Sequence, residues 1–584
     1  MKDLLQYLRD YKKECVLGPF FKLLEAVFDL IVPAVTAAII DKGIANRDEK
    51  MILGYGGILL LLAAVGLICS ITAQYFAAKA ATGFAAKLRY ALFRHVESLS
   101  FTEMDEVGTS TLITRMTSDV NQLQSGVNMA LRLFLRSPFI VLGAMIMAFT
   151  YDVRIAFIFV VAIILLSVVI FGIMAICTPL YKKVQGILDQ VLQSTRENLT
   201  GVRVIRAFRR EDEEEEEYQE KTGLLMGAQI FVGRISALTN TLTYVIVNGA
   251  LVLLLWRGGL RIQAGSLYQG QIVALVNYLS QILVELVKLA NTIVLTNKSL
   301  ASAERIVGVF EMRSSLEEAA GENFLEKNIS EQKIRVVFDH ASLCYKGALE
   351  ASVRNVNLVV KKGETIGIIG GTGSGKTSLV SLIPRFYDAT EGKVLVDGVD
   401  VREQSVEGLR RKIGIVMQKA VLFKGTIREN LLWGNENATE EELIEALKIS
   451  QAWEFVEKKE KGLDSFVEQG GRNLSGGQRQ RLSIARALVR KPEILIFDDS
   501  TSALDYATDA KLRRGLKHLS YRPVIFMVSQ RTSSIRHADQ ILVLEDGRVL
   551  DIGTHEELLA RSKEYQEIHE SQFKNVGEEE KKHA

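Results

Sequence analysis

Four stretches of this chain carry no charged residue: 51–78, 155–181, 235–256 and 262–284. A bilayer's hydrocarbon core is about 30 Å thick, and a helix needs about 20 residues to cross it. Each stretch is long enough, and a helix is the segment that satisfies its own backbone polar groups inside lipid. Two further candidates carry charge. One is 137–151, extended back through Leu131–Leu135, with Arg132 and Arg136 near its start. The other is 16–40, where Lys22, Glu25 and Asp29 share one side of a helix and leave the opposite side for lipid. The first half is therefore expected to be an all-α membrane domain of six spans.

Six spans return the chain to the side on which it started. The loops 79–130 and 182–234 are long and rich in Lys and Arg, whereas the links 41–50 and 257–261 are short. The positive-inside rule places the N-terminus, both long loops and everything after residue 300 in the cytoplasm. The long loops have helical patterns, so the spans are expected to continue beyond the membrane as cytoplasmic extensions. The opening MKDLLQYLRDYKK has neither the apolar core nor the small-residue cleavage site of a signal peptide. It sets Leu4, Leu5, Leu8 and Tyr11 on one helical face, which suits a helix lying on the inner membrane surface or an ordinary amphipathic helix. The acidic run EDEEEEEY (211–218) reads as a solvated helix face.

The character changes near residue 311. Residues 312–333 are polar and acidic and read as a linker; 334–575 alternate β-rich runs such as KIRVVF and ETIGIIG with helical segments, an α/β pattern; 576–584 read as a disordered tail. A net charge of +2 argues against a nucleic-acid partner held by bulk charge. The four cysteines form no CxxC, which argues against a disulfide framework or a zinc site.

The α/β half carries IGIIGGTGSGKTS (366–378). An apolar strand runs into Gly370, Gly371, Thr372, Gly373, Ser374 and Gly375, then into Lys376, Thr377 and Ser378 at a helix start. Glycines let backbone N–H groups curl around phosphate oxygens, the helix dipole favours the anion, Lys376 reaches the terminal phosphates and Thr377 ligates Mg²⁺. A second apolar run, ILIFDD (494–499), ends in Asp498, which suits a magnesium ligand. A phosphate loop alone serves kinases, GTPases, helicases and transporters, so the cofactor expected from it is a nucleoside triphosphate with Mg²⁺.

The sequence LSGGQRQRLSIARAL (474–488) narrows the field. With the phosphate loop before it and the Asp498 strand after it, the chain resembles the ATP-binding cassette (ABC) family, and its first half resembles the six-span domain of ABC exporters. The resemblance covers nearly the whole chain. It implies that Tyr345 stacks on adenine, that Gln418 touches magnesium, and that Asp505 lies in a loop crossing to a second cassette. It implies that Leu474, Ser475, Gly476, Gly477 and Gln478 cap the ATP held by that second cassette. Residues 109–120 and 201–211 look like the elements through which such exporters receive the ATPase stroke.

Two positions depart from the family pattern. Asp499 stands where the family has the glutamate that aligns the attacking water, and it is shorter by about 1.5 Å. Gln530 stands where the family has a histidine at the γ-phosphate; its amide can donate a hydrogen bond but cannot shuttle a proton. An intact signature beside an impaired Asp499/Gln530 site resembles one subunit of the heterodimeric bacterial multidrug exporters. The partners so implied are a second half-transporter, membrane lipid and a hydrophobic or amphipathic substrate. A slow homodimer and a nucleotide-gated channel or regulatory subunit are the other readings. In the last span, Asn277, Gln281, Glu285 and Lys288 share one helical face; they either line a substrate pathway or pair Glu285 with Lys288 or with Arg132/Arg136.

Overall fold

The computed structural model describes residues 2–316 and 334–582. The chain divides into two units: residues 1–97 with 109–312, and residues 98–108 with 313–584.

The first unit is all helix. After a 3₁₀ segment (Lys2–Tyr11) come α1 (Lys12–Ala38) and α2 (Glu49–Glu97). Shorter helical turns from Thr109 lead to α4 (Val120–Leu133) and α5 (Arg136–Tyr151). Then follow α6 (Val153–Phe208), α7 (Glu211–Gln263) and α8 (Gln269–Glu311). Among the described residues, six helical segments are long and apolar enough to cross a membrane, from Leu4–Ile44 to Gln269–Glu311. The 56 residues of α6 reach about 84 Å at about 1.5 Å per residue, nearly three times a bilayer core. The extensions expected from the long loops are thus continuous with the spans.

Three boundaries differ from the sequence reading. The last link lies at 264–268 rather than 257–261, because the helix continues through Arg257, Gly258 and Gly259 and breaks at Gly265, whose φ is +73°. The N-terminal segment is 3₁₀, so Leu5, Leu8 and Tyr11 stack in one row at spacing three while Leu4 falls outside it: Leu4 is buried and Leu5 exposed. The segment 576–584, expected to be disordered, continues the last helix as far as Lys582; most of the 312–333 linker lies outside the described residues.

Several charged side chains inside this unit pair with one another. Arg136 donates to Asp29 Oδ2 and to Glu285 Oε1, each at 2.7 Å. Glu285 also accepts from Ser137 Oγ at 2.8 Å and Lys288 Nζ at 2.9 Å, while Lys22 meets Glu25 at 2.6 Å. Three cations and three carboxylates tie α1, α5 and α8 together. Of the two roles left open for the α8 face, Glu285 takes the pairing one, and Arg136 rather than Arg132 is its arginine. Asn277, on the same helix, is exposed.

Among the described residues, the second unit has two large sheets and a two-stranded ribbon, Gly425–Thr426 with Phe466–Val467. One has the order β2-β1-β4-β5, from Val353–Lys361, Ile334–Leu343, Glu391–Val396 and Val399–Asp400. The other has six strands. In chain order they are β3 (Thr365–Gly370), β6 (Ile413–Val416), β7 (Ile494–Asp498), β8 (Val524–Val528), β9 (Gln540–Glu545) and β10 (Arg548–Gly553). Their spatial order is β10-β9-β3-β8-β7-β6, parallel except at β10. Alternation along a strand sorts side chains between two cores. Ile494 and Ile496 join Phe338 and Val394 beneath the first sheet, while Leu495 and Phe497 join Leu482, Leu488 and Leu512 beneath helices.

Candidate nucleotide-binding site

Parallel strands deliver the site. β8 lies between β3 and β7, with Phe526 opposite both Ile366 and Ile496. The C-terminal ends of these three strands therefore emerge together, the place where open α/β sheets bind ligands. From β3 comes the glycine loop, from β7 the pair Asp498–Asp499, and from β8 the segment Ser529–Thr532.

Two glycines of the loop are required by space. A Cβ on Gly370 would meet Leu544 O at 2.1 Å; one on Gly375, at φ +91°, would meet Ser352 O at 2.1 Å. Gly375 opens the short helix Lys376–Ser381. Lys376 is buried, and its Nζ donates to Gly370 O at 2.9 Å, Gly371 O at 2.5 Å and Ser374 Oγ at 3.2 Å. The ammonium thus sits inside the cradle formed by the loop. Burial pushes Lys376 below the ordinary lysine range, while Asp499 and Asp498 oppose that shift.

Thr377 Oγ1 donates to Asp498 Oδ1 at 2.9 Å. Burial raises the carboxyl of Asp498, and the neighbouring Asp499 pushes the same way. Asp499 is likewise raised by burial, against the pull of Lys376. The Asp498 carboxylate beside the Thr377 hydroxyl forms an oxygen donor pair that suits a hard divalent cation. Among the described residues no three His, Cys, Asp or Glu side chains cluster for a metal. A cation here would complete its shell with phosphate oxygens and water, the habit of Mg²⁺.

Asp499 has a left-handed backbone, φ +44°. Its N–H donates to Val528 O at 3.1 Å and its carbonyl accepts from Ser502 Oγ at 2.8 Å. Among the described residues its carboxylate has one side-chain hydrogen-bond partner, Gln418 Nε2, at 3.5 Å, the outer edge of hydrogen-bond range. Gln530 is exposed, and its carbonyl accepts from Gln572 Nε2 at 2.7 Å. His537, seven residues from Gln530, is exposed.

Tyr345 is half-buried. Its hydroxyl donates to Ser378 Oγ at 2.9 Å, and its ring meets Tyr387 edge-on at 5.0 Å. The signature lies elsewhere in the unit. Leu474 is buried, and Ser475 caps the helix Gly476–Val489 in a reciprocal box: Gln478 N donates to Ser475 Oγ at 3.3 Å and Ser475 N donates to Gln478 Oε1 at 3.0 Å. Asp505 caps Tyr506–Lys517 by accepting from Thr508 N at 2.9 Å.

One contact was missed in the sequence. The helix α3 (Phe101–Val107) belongs to the second unit. Phe101 packs on Phe386 at 4.6 Å, Tyr387 Oη donates to Asp105 Oδ2 at 2.6 Å, and Lys346 pairs with Glu106 at 2.7 Å. Burial, then the Asp105 hydrogen bond, push the Tyr387 phenol well above its ordinary range. Of the elements expected to receive the ATPase stroke, 109–120 lies in the first unit, and 201–211 covers the end of α6 up to Phe208, the link Arg209–Arg210 and the first residue of α7. The sequence marks the start of this helix, where Ser100 and Glu103 form an S-x-x-E capping box, but not what the helix packs on.

Residues 15–286 match the family described as ABC transporter transmembrane region, and residues 353–502 the family described as ABC transporter. The uncharacterised ABC transporter ATP-binding protein YfiB of Bacillus subtilis is 35% identical, covering 99% of this chain and 100% of its own. The putative multidrug export ATP-binding/permease protein YgaD of the same organism is 31% identical over 97% and 98%. A solved structure of a bacterial Atm1-family ABC exporter with ATP bound shares the fold, with a TM-score of 0.79 at 23% identity, over 95% of this chain and 98% of that one.

Proposed function

The chain belongs to the ABC transporters, and from that premise we propose that it is one subunit of a heterodimeric exporter driving hydrophobic or amphipathic compounds out across the cytoplasmic membrane. The multidrug-export name carried by YgaD and the six apolar helices support export of such compounds. Drug-like molecules, lipids and peptides all fall within that class. The Lys/Arg-rich long loops support a cytoplasmic cassette.

The site's own residues divide into two groups. Tyr345 would stack on adenine, the Gly370–Gly375 backbone and Lys376 would hold the phosphates, and Thr377, Asp498 and Gln418 would hold Mg²⁺. The ion's chemistry is to neutralise charge on the terminal phosphates. Asp499 would have to orient water, and Gln530 to contact the γ-phosphate. The observation that carries the proposal is Asp499: its carboxylate is one methylene short and touches Gln418 only at 3.5 Å. A misplacement of about 1 Å can cost about 100-fold in rate. Asp505 would face the second cassette, and Leu474–Gln478 would complete that partner's ATP site.

Expression of the chain alone tests the pairing. The expected result is ATP binding with little or no turnover, restored by a partner half-transporter. A purified homodimer that hydrolyses several ATP per second with coupled transport overturns it.

A further inference from the structure

The segment after β8 is held from two sides. Arg531 Nη2 donates to Ser502 O at 3.2 Å, and its guanidinium lies over the Tyr506 ring at 5.2 Å. On the other side runs the last helix, Lys563–Lys582. Its Gln572 donates from Nε2 to Gln530 O at 2.7 Å and accepts at Oε1 from Thr532 N at 2.9 Å. Thr532 Oγ1 lies 3.0 Å from the same Oε1 and 3.1 Å from His569 Nδ1, one helical turn earlier. Thr532 is fully buried.

One side-chain amide therefore reaches the peptide groups on both sides of Arg531. A carboxamide carries a donor and an acceptor side by side, which a carboxylate or a thioether does not. The contact fixes the backbone direction through 530–532, and with it where the Gln530 side chain begins. We propose that Gln572 is a positioning residue for the γ-phosphate contact: it latches the 530–532 backbone to the C-terminal helix so that this segment distinguishes ATP from ADP. The inference rests on the reading of Gln530 as a γ-phosphate contact, but not on whether the site hydrolyses.

Two measurements on the full-length protein test it. In nucleotide-free protein, Gln572→Met keeps side-chain length and removes both hydrogen bonds. Amide exchange at Thr532 is expected to speed up about tenfold, the scale for an unpaired buried N–H. Gln572→Glu keeps the acceptor and loses the donor; protection at Thr532 is expected to stay within about twofold of the parent. The second readout is release of nucleotide from this chain's own site in the assembled pair. Gln572→Met is expected to shorten ATP retention about fivefold and leave ADP retention unchanged, because only ATP presents a γ-phosphate. Unchanged exchange at Thr532 in Gln572→Met overturns the latch. Faster exchange with equal loss of ATP and ADP overturns the positioning role and leaves a structural tie. The exchange arm uses no nucleotide, so vigorous turnover by the chain alone would sink the degenerate-site reading without touching this result.

Discussion

Asp498 and Asp499 are neighbours in sequence, yet they sit in differently built surroundings. Asp498 ends a strand, is 3% exposed, and receives a 2.9 Å hydrogen bond from Thr377. It belongs to a tightly constrained corner: Gly370 and Gly375 leave no room for a Cβ, and the buried lysine has three oxygen partners. Asp499 turns out of the strand at positive φ, and among the described residues its carboxylate has a single, long side-chain hydrogen bond. Its backbone is well held; its functional end is not. The corner proposed to hold the phosphates is over-determined, and the one proposed to orient water is positioned only as far as the main chain. Binding and chemistry can thus be lost separately, and substitutions should fall into two classes.

The largest effect should come from the constrained corner. Lys376→Ala removes the buried cation among the loop oxygens. ATP retention at this chain's own site should fall by about 100-fold or more, the scale for removing a charged group aimed at a phosphate. Nucleotide trapping on the assembled pair measures it. Retention within a few-fold of the parent would break the distinction between the corners.

The signature comes next. Ser475→Ala should lower the pair's ATPase about 100-fold, by removing a γ-phosphate contact from the partner's site. Ser475 also caps its own helix, and losing a cap costs about 0.5–2 kcal/mol of stability. The two roles separate experimentally: a capping loss lowers Tm with kcat unchanged, whereas a loss at the partner's site lowers kcat at saturating ATP. Tyr345→Ala should be milder, weakening nucleotide binding by about 1–3 kcal/mol, the worth of one base–aromatic stack. Fluorescent-nucleotide titration reads it, and unchanged binding would leave Tyr345 as packing against Tyr387.

The parts visible in the sequence are those written locally. Uncharged runs mark spans because lipid tolerates few charges, and the phosphate loop is contiguous. Asp499 and Gln530 stood out because each differs from a motif in one side chain. The parts that stayed hidden depend on distant contacts. Nothing near Phe101 announces Phe386 and Tyr387, which lie some 285 residues away. The bracket from Gln572 to residues 530 and 532 has no local pattern either. The link at 257–261 was misplaced for a different reason: Arg257, Gly258 and Gly259 look like a turn, but in a long helix Gly costs only about 1 kcal/mol each. The face with Glu285 was visible as periodicity, whereas its pairing with Arg136 needed α5 in place.

The smallest expected effect is the most discriminating. If Asp499 adds little chemistry, Asp499→Asn should change the assembled pair's ATPase by less than about threefold, well below the 100-fold expected of a working water-orienting carboxylate. Asparagine is nearly isosteric and also tolerates positive φ, so the main chain that holds this corner is undisturbed. Gln418 Nε2 loses an anionic acceptor, but at 3.5 Å that contact was weak. The reverse experiment sharpens the comparison. Asp499→Glu with Gln530→His should raise hydrolysis at this site, since reach and a proton-carrying group return while the phosphate-holding corner is unchanged. The rise is limited by whatever signature the partner supplies and by the cost of placing Glu at positive φ. Both variants must be measured in the pair at saturating ATP, so that binding losses do not imitate chemical ones. Should Asp499→Asn halt turnover as completely as removing the partner's own catalytic carboxylate, the short side chain is a working catalyst and the two corners are equally built.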